Sequence, residues 1–143
     1  MARIEASIVI NRPIEDLFEY MADVARNTEW KEGILEAKQT SPGPAAVGAT
    51  YTYVVQAMGR KIETDGEITE FQAPTRFAWK STKSPFPMTG GHTLEPANGG
   101  VKVTNFMEVE PGGFFKLAEG IMAKQQKSQM ERELANLKAM MEG

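Results

Sequence analysis

The chain contains no cysteine. That excludes a disulfide framework, a thiolate metal site and a cysteine nucleophile, and it fits a reducing compartment, so a cytoplasmic location is expected. Histidine is nearly as scarce. His92 is the single one, and one histidine without cysteine cannot make a usual zinc site, so no metal is expected. Long apolar runs are missing too: none nears the roughly 20 residues that span a bilayer. The N-terminus, Met1-Ala2-Arg3-Ile4-Glu5, alternates polar and apolar instead of entering an apolar signal stretch, so neither export nor membrane insertion is expected. Lys and Arg number 16 against 19 Asp and Glu, with no basic stripe, which sets nucleic acid aside as a partner. No Gly-rich loop of phosphate-binding spacing opens a helix, no serine sits in a nucleophile elbow, and no cofactor is expected.

What is present is ordinary for a globular chain: 143 residues, 41% apolar and 24% charged, with a net charge of -3. A single domain over residues 1–143 follows, with one core whose formation removes roughly two-thirds of the unfolded surface from water. Ile4, Ala6, Ile8 and Ile10 share one parity, so Ala2 to Ile10 is a strand with one buried face. Pro13, followed by Glu15 and Asp16, starts a helix with the apolar stripe Ile14, Leu17, Phe18 and Met21. A second short helix is expected over Val24 to Glu29, with Trp30 where the chain turns back. Strands follow over Ile34 to Thr40, Ala49 to Met58, Arg60 to Phe71, Thr75 to Ser81, Met88 to Leu94 and Val101 to Val109, separated by Pro- and Gly-rich turns. After Pro111-Gly112-Gly113 the segment Phe114 to Met141 lacks proline and reads as one long helix. At 1.5 Å per residue it is roughly 40 Å long. Its apolar stripe, Phe114, Leu117, Ile121 and Met122, then Met130, Leu134, Leu137 and Met141, is broken by Lys124-Gln125-Gln126-Lys127-Ser128-Gln129.

Consecutive strands joined by tight turns are antiparallel, so the class is α+β: seven strands with one apolar face, which only the C-terminal helix is long enough to cover. Because a coiled sheet bends away from a straight helix, space is expected between them.

The carriers of a family resemblance are the strand leading into Asn11-Arg12-Pro13-Ile14-Glu15-Asp16-Leu17-Phe18, then Trp30, then Val47-Gly48-Ala49-Thr50-Tyr51. The last is Glu110-Pro111-Gly112-Gly113-Phe114-Phe115, before a helix ending Glu133-Leu134-Ala135-Asn136-Leu137-Lys138. In this order, over the whole chain, the sequence resembles the START-related (SRPBCC) helix-grip superfamily, which includes the birch pollen allergen, lipid-transfer START domains and bacterial polyketide cyclases. The resemblance implies a curved sheet wrapped around the long helix, two short helices after the first strand, and a buried ligand pocket.

Strand parity nominates the pocket wall. Tyr51 and Tyr53 fall on the apolar parity of their strand, opposite Thr50, Thr52 and Gln56; Thr64 falls with Ile62, Gly66 and Ile68, opposite the carboxylates Glu63, Asp65 and Glu67. Phe77 and Trp79 point inward on the same rule, then His92 with Met88 and Leu94, then Asn105 and Met107 among valines. Ile121 and Gln125 are the expected contributions of the helix, with at least one of Gln125, Gln126 and Ser128 looking into the cavity. The leading expectation is a binding protein for a hydrophobic small molecule, a lipid, polyketide or aromatic metabolite, that is not itself an enzyme. The family resemblance also allows a polyketide aromatase/cyclase, with His92 or Tyr51 moving a proton beside a carbonyl and Asn105 or Trp79 holding the enolate oxygen. A third expectation is that the stripe Met130 to Met141 is partly unused by the fold and serves a partner or a homodimer.

Overall fold

The computed structural model describes the backbone of residues 2–57, 59–83, 88–109 and 113–143, and the side chains within 3–56, 59–83, 88–108 and 124–143. Seven strands form one antiparallel sheet: β1 (Ala2–Ile10), β2 (Ile34–Gln39), β3 (Thr50–Ala57), β4 (Arg60–Gln72), β5 (Arg76–Lys83), β6 (Met88–Ala97) and β7 (Gly100–Val109). Their order is β1-β7-β6-β5-β4-β3-β2. The first two strands in sequence are thus the two outer edges of the sheet. The segment between them, α1 (Ile14–Ala22), a short 3-10 turn (Val24–Arg26) and α2 (Asn27–Trp30), carries the chain from one edge to the other. The expected helix over Val24 to Glu29 is therefore split. Asp23 accepts from the Ala25 N–H and caps a separate 3-10 turn ahead of α2.

Register shifts at Ile34/Glu36 on β2, and at Asp65/Gly66 and Ile68/Glu70 on β4, bend the sheet where it curls around its contents. Strand β6 runs beyond Leu94 and through Pro96, further than turn propensity allows for. It pairs with β5 only from Thr89 to Thr93, so around Pro96 it is half of a two-stranded hairpin with β7, and one side needs no amide donor. Gly90 marks a close approach. A Cβ there would stand 2.6 Å from Trp79 Cζ2 and 2.8 Å from the Phe106 carbonyl oxygen, so only glycine lets Trp79 lie flat on the strand.

The long helix, α3 (Gly113–Glu142), crosses the sheet beside β1 and touches α2. Its C-terminal half buries Met130, Leu134 and Leu137 in a core shared with Ile4, Ala6 and Ile10 of β1 and with Leu17, Phe18, Met21 and Trp30. The helix end is latched to the end of β1. Lys138 Nζ donates to the Val9 carbonyl at 2.7 Å, Arg12 to the Met141 carbonyl at 3.0 Å, and the Asn11 N–H to Glu142 at 2.8 Å. Both cations sit at the negative end of the helix dipole. Of the stripe Met130 to Met141, the fold buries Met130, Leu134 and Leu137 and partly buries Met141, and Met140 is the only large apolar side chain exposed on the described part of α3. No helix among the described residues is long and apolar enough to cross a membrane.

Leu134 and Leu137 are essentially without solvent exposure. Replacing either with alanine should cost about 2–5 kcal/mol in a urea titration. The same change at exposed Lys127 should cost a few tenths at most, and equal losses at the buried and exposed sites would contradict this packing.

Candidate functional site

Between the sheet and α3 lies a cavity of about 370 Å³. Its wall comes from six strands, β2 to β7, the segment after α2 and the polar middle of α3. Tyr51, Tyr53 and Val55 project from β3, Thr64 from β4, Trp79 and Ser81 from β5, Met88 and Met107 from β6 and β7, and Gln126, Gln129 and Glu133 from α3. Lys31 and Glu32 close the side facing α2. Alternation explains the strand contributions. Tyr51, Tyr53 and Val55 are two residues apart and face inward, while Thr52 and Val54 lie on the outer face with Glu36 and Lys38.

Several polar groups of this wall have a proton to give. Asn27 Nδ2 donates to the Tyr53 hydroxyl oxygen at 2.6 Å, so the hydroxyl spends its acceptor and keeps its proton to give. Burial pushes the Tyr53 hydroxyl up to about 12, although the Asn27 bond pulls the other way. Burial also raises Tyr51, with the adjacent Tyr53 adding to it; the two rings pack with centroids 4.8 Å apart. Both hydroxyls stay protonated at neutral pH. Lys31 Nζ stands 5.2 Å from the Trp30 ring centroid, a cation–π contact, and burial lowers its pKa while the Glu133 charge opposes that. Glu133 is 6% exposed and accepts from the Glu32 N–H at 2.9 Å and from Gln129 Nε2 at 3.0 Å. Beside the wall, Asn27 Oδ1 and Trp30 Nε1 are buried without a partner among the described residues.

Of the residues nominated by sequence, Tyr51, Tyr53, Thr64, Trp79 and Met107 line this cavity. Phe77, His92 and Asn105 face the same side but sit deeper and belong to the packed core instead. His92 is 3% exposed, stacks on Phe77 at 5.9 Å and 10°, and lies 5.8 Å from the Trp30 ring. Its Nδ1–H donates to the Asn105 amide oxygen. The two polar groups of the apolar strand faces thus bond to each other across β6 and β7. Gln125 is exposed, as is Ser128, and Gln126 takes the inward place. Helical phase decides this: Gln126, Met130, Glu133 and Leu137 follow at spacings of four and three, whereas Gln125 is about 100° round the helix. Ile121 has a side chain outside the described residues. Lys31 and Glu133 were not among the nominated residues. Lys31 lies in a connection without periodicity, so no pattern points to it. Glu133 did leave a trace, as a carboxylate set between Met130 and Leu137 in an apolar stripe.

A larger and more open hollow, about 630 Å³, lies between α1, the segment from Gln39 to Ala45, and Phe71 to Pro74. Its polar lining is mostly the carboxylates Glu15, Glu19 and Asp23 together with Gln39, whose amide already donates to the Ser41 and Gly43 carbonyls. Unspent donors converge in the inner cavity, so that is the candidate site. Among the described residues no group of three His, Cys, Asp or Glu could hold a metal ion.

A sheet curled around a C-terminal helix with a cavity between them defines the helix-grip class. Within it, the chain belongs to the family described as polyketide cyclase/dehydrase and lipid transport, whose model matches residues 1–142. No curated protein matches the sequence. Solved structures share the fold at low identity. A protein of Thermus thermophilus, TTHA0849, is 19% identical with a TM-score of 0.80, covering 96% of this chain and 95% of its own. DR_A0006 of Deinococcus radiodurans is 15% identical with a TM-score of 0.73, covering 97% and 95%. The di-domain ARO/CYC StfQ from the steffimycin biosynthetic pathway is 14% identical with a TM-score of 0.77; the match covers 98% of this chain and 50% of StfQ.

His92 generates a pH dependence. Burial first, then the Lys31 charge, lower its pKa from 6.5 to about 3, against the Asn105 bond. The unfolded chain therefore takes up the proton first, and stability falls as the pH drops from about 6.5 toward 3, by at most about 1.4 kcal/mol per pH unit. Urea titrations at about pH 7, 6 and 5 should show a steeper loss for the native chain than for His92→Gln. Parallel curves would remove His92 as the cause.

Proposed function

We propose that the protein binds an apolar small molecule bearing acceptor oxygens, of lipid, polyketide or aromatic type, in the cavity between the sheet and α3. The observation that carries this reading is the wall itself: Val55, Trp79, Met88 and Met107 supply apolar surface, and the Tyr51, Tyr53 and Lys31 donors are held among them. The volume of about 370 Å³ is within the roughly 300–1,000 Å³ of small-molecule sites. Apolar contact supplies affinity at roughly 25 cal/mol per Å² buried, and the donors orient the oxygens. Family membership supports a ligand of this kind, and the absence of cysteine is consistent with action in the cytoplasm.

A second reading, cyclisation of a poly-β-ketone, draws support from the family description and from the same donors, which could hold an enolate oxygen as charge develops. In that reading Tyr51, Tyr53 and Lys31 are the groups within reach of a substrate. His92, in the packed core and bonded to Asn105, is not. His92→Gln should then leave turnover of a poly-ketone largely intact, and its loss in a folded variant would return His92 to the mechanism.

Two adjacent valines test the binding reading. Val55→Phe places extra volume in the cavity, whereas Val54→Phe adds it to the outer face. Titrated with a fluorescent apolar probe, the first variant should bind about tenfold or more weakly and the second as the native chain does. Equal binding by both would sink the assignment of the cavity as the ligand site.

A further inference from the structure

The cavity holds a charge that no hydrogen bond answers among the described residues. Lys31 follows α2 at its C-cap, where its N–H closes the helix on the Asn27 carbonyl at 3.0 Å, and its side chain lines the cavity. Among the described residues its ammonium makes no hydrogen bond and no ion pair within 4.0 Å; its contact is the Trp30 ring. Lys31 is partly buried, and an ammonium partly withdrawn from water without a hydrogen-bonded counter-charge carries a cost. The carboxylate best placed to answer it, Glu133, is held instead by two neutral donors, the Glu32 N–H and the Gln129 amide. Glu32 is paired with Arg132 at 2.8 Å. Glu133 therefore favours the charged lysine through space while leaving the ammonium protons unspent.

We propose that Lys31 is the head-group anchor of the cavity, so that the ligand is an apolar body ending in one anionic oxygen group, a carboxylate, an enolate or an equivalent acid. This rests on the reading of the cavity as the ligand site. The ammonium and the Tyr53 O–H both donate, and only an acceptor satisfies both; an anionic acceptor also supplies the missing counter-charge. A purely hydrocarbon ligand would cover the lysine and leave it unpaired, and a cationic one would add like charge beside it.

Two probes with one skeleton separate charge from shape. 8-Anilinonaphthalene-1-sulfonate carries an acid group, and N-phenyl-1-naphthylamine does not. Each is titrated into the native chain, Lys31→Met, Lys31→Arg and Val55→Phe, following energy transfer from tryptophan. Lys31→Met should weaken the anionic probe about tenfold or more and the neutral probe far less, while Lys31→Arg restores most of the anionic affinity. Parallel loss of both probes, or an unchanged anionic affinity, overturns the anchor while leaving the cavity standing. If neither probe binds the native chain, or if both survive Val55→Phe, the cavity reading fails and the anchor with it. Lys31→Gln serves should Lys31→Met not fold.

Discussion

The molecule depends on the burial of one helical stripe, Met130, Leu134 and Leu137, against β1 and the two short helices. A sheet of this curl has a concave face that cannot be left to water, and α3 is the element long enough to cross it. The stripe packs at one end of that face, where Lys138, Arg12 and Asn11 latch the helix terminus to the end of β1. Toward the middle of α3 the inward positions become Gln129 and Gln126, and there the helix stops filling the concavity. The cavity is the complement of the stripe. Among the described residues, it opens where the inward positions of the helix change from apolar to polar.

The same geometry explains which features could be read from the sequence. Strand parity is a two-way choice, and a single buried face decides it, so the inward facing of Tyr51, Tyr53, Thr64, Trp79 and Met107 was legible. Depth was not. Phe77, His92 and Asn105 share that facing, but whether a position meets a cavity or packed core depends on what stands opposite it. For His92 that is the Trp30 ring, brought from a segment far away in the chain. Helical phase gave the polar middle of α3 but not its inward member, because Gln125 and Gln126 are chemically alike and only the crossing angle of the helix chooses between them. Lys31 was invisible for a different reason. It lies in a connection, where direction is set by the C-cap of α2 and by Trp30 beneath it rather than by any repeat.

The electrostatics of the cavity follow from how each polar group is already committed. His92 Nδ1 and the Asn105 amide oxygen are committed to each other, and burial holds the imidazole uncharged. Glu133 is tied to Glu32 and Gln129, and Tyr53 has accepted from Asn27. Among the groups left with protons to give are the Tyr53 hydroxyl and the Lys31 ammonium. In water such an inventory would carry no information, since solvent satisfies donors and acceptors alike. Inside an apolar wall it does, because a ligand that cannot accept leaves those donors stripped of water and unpaired, at a cost of about 1–3 kcal/mol for each neutral one and more for the ammonium. Selection in such a site works chiefly by rejection. In the proposed binding role, the apolar surface would admit many bodies of the right volume, and the uncommitted donors would disfavour those that lack an oxygen at the right end.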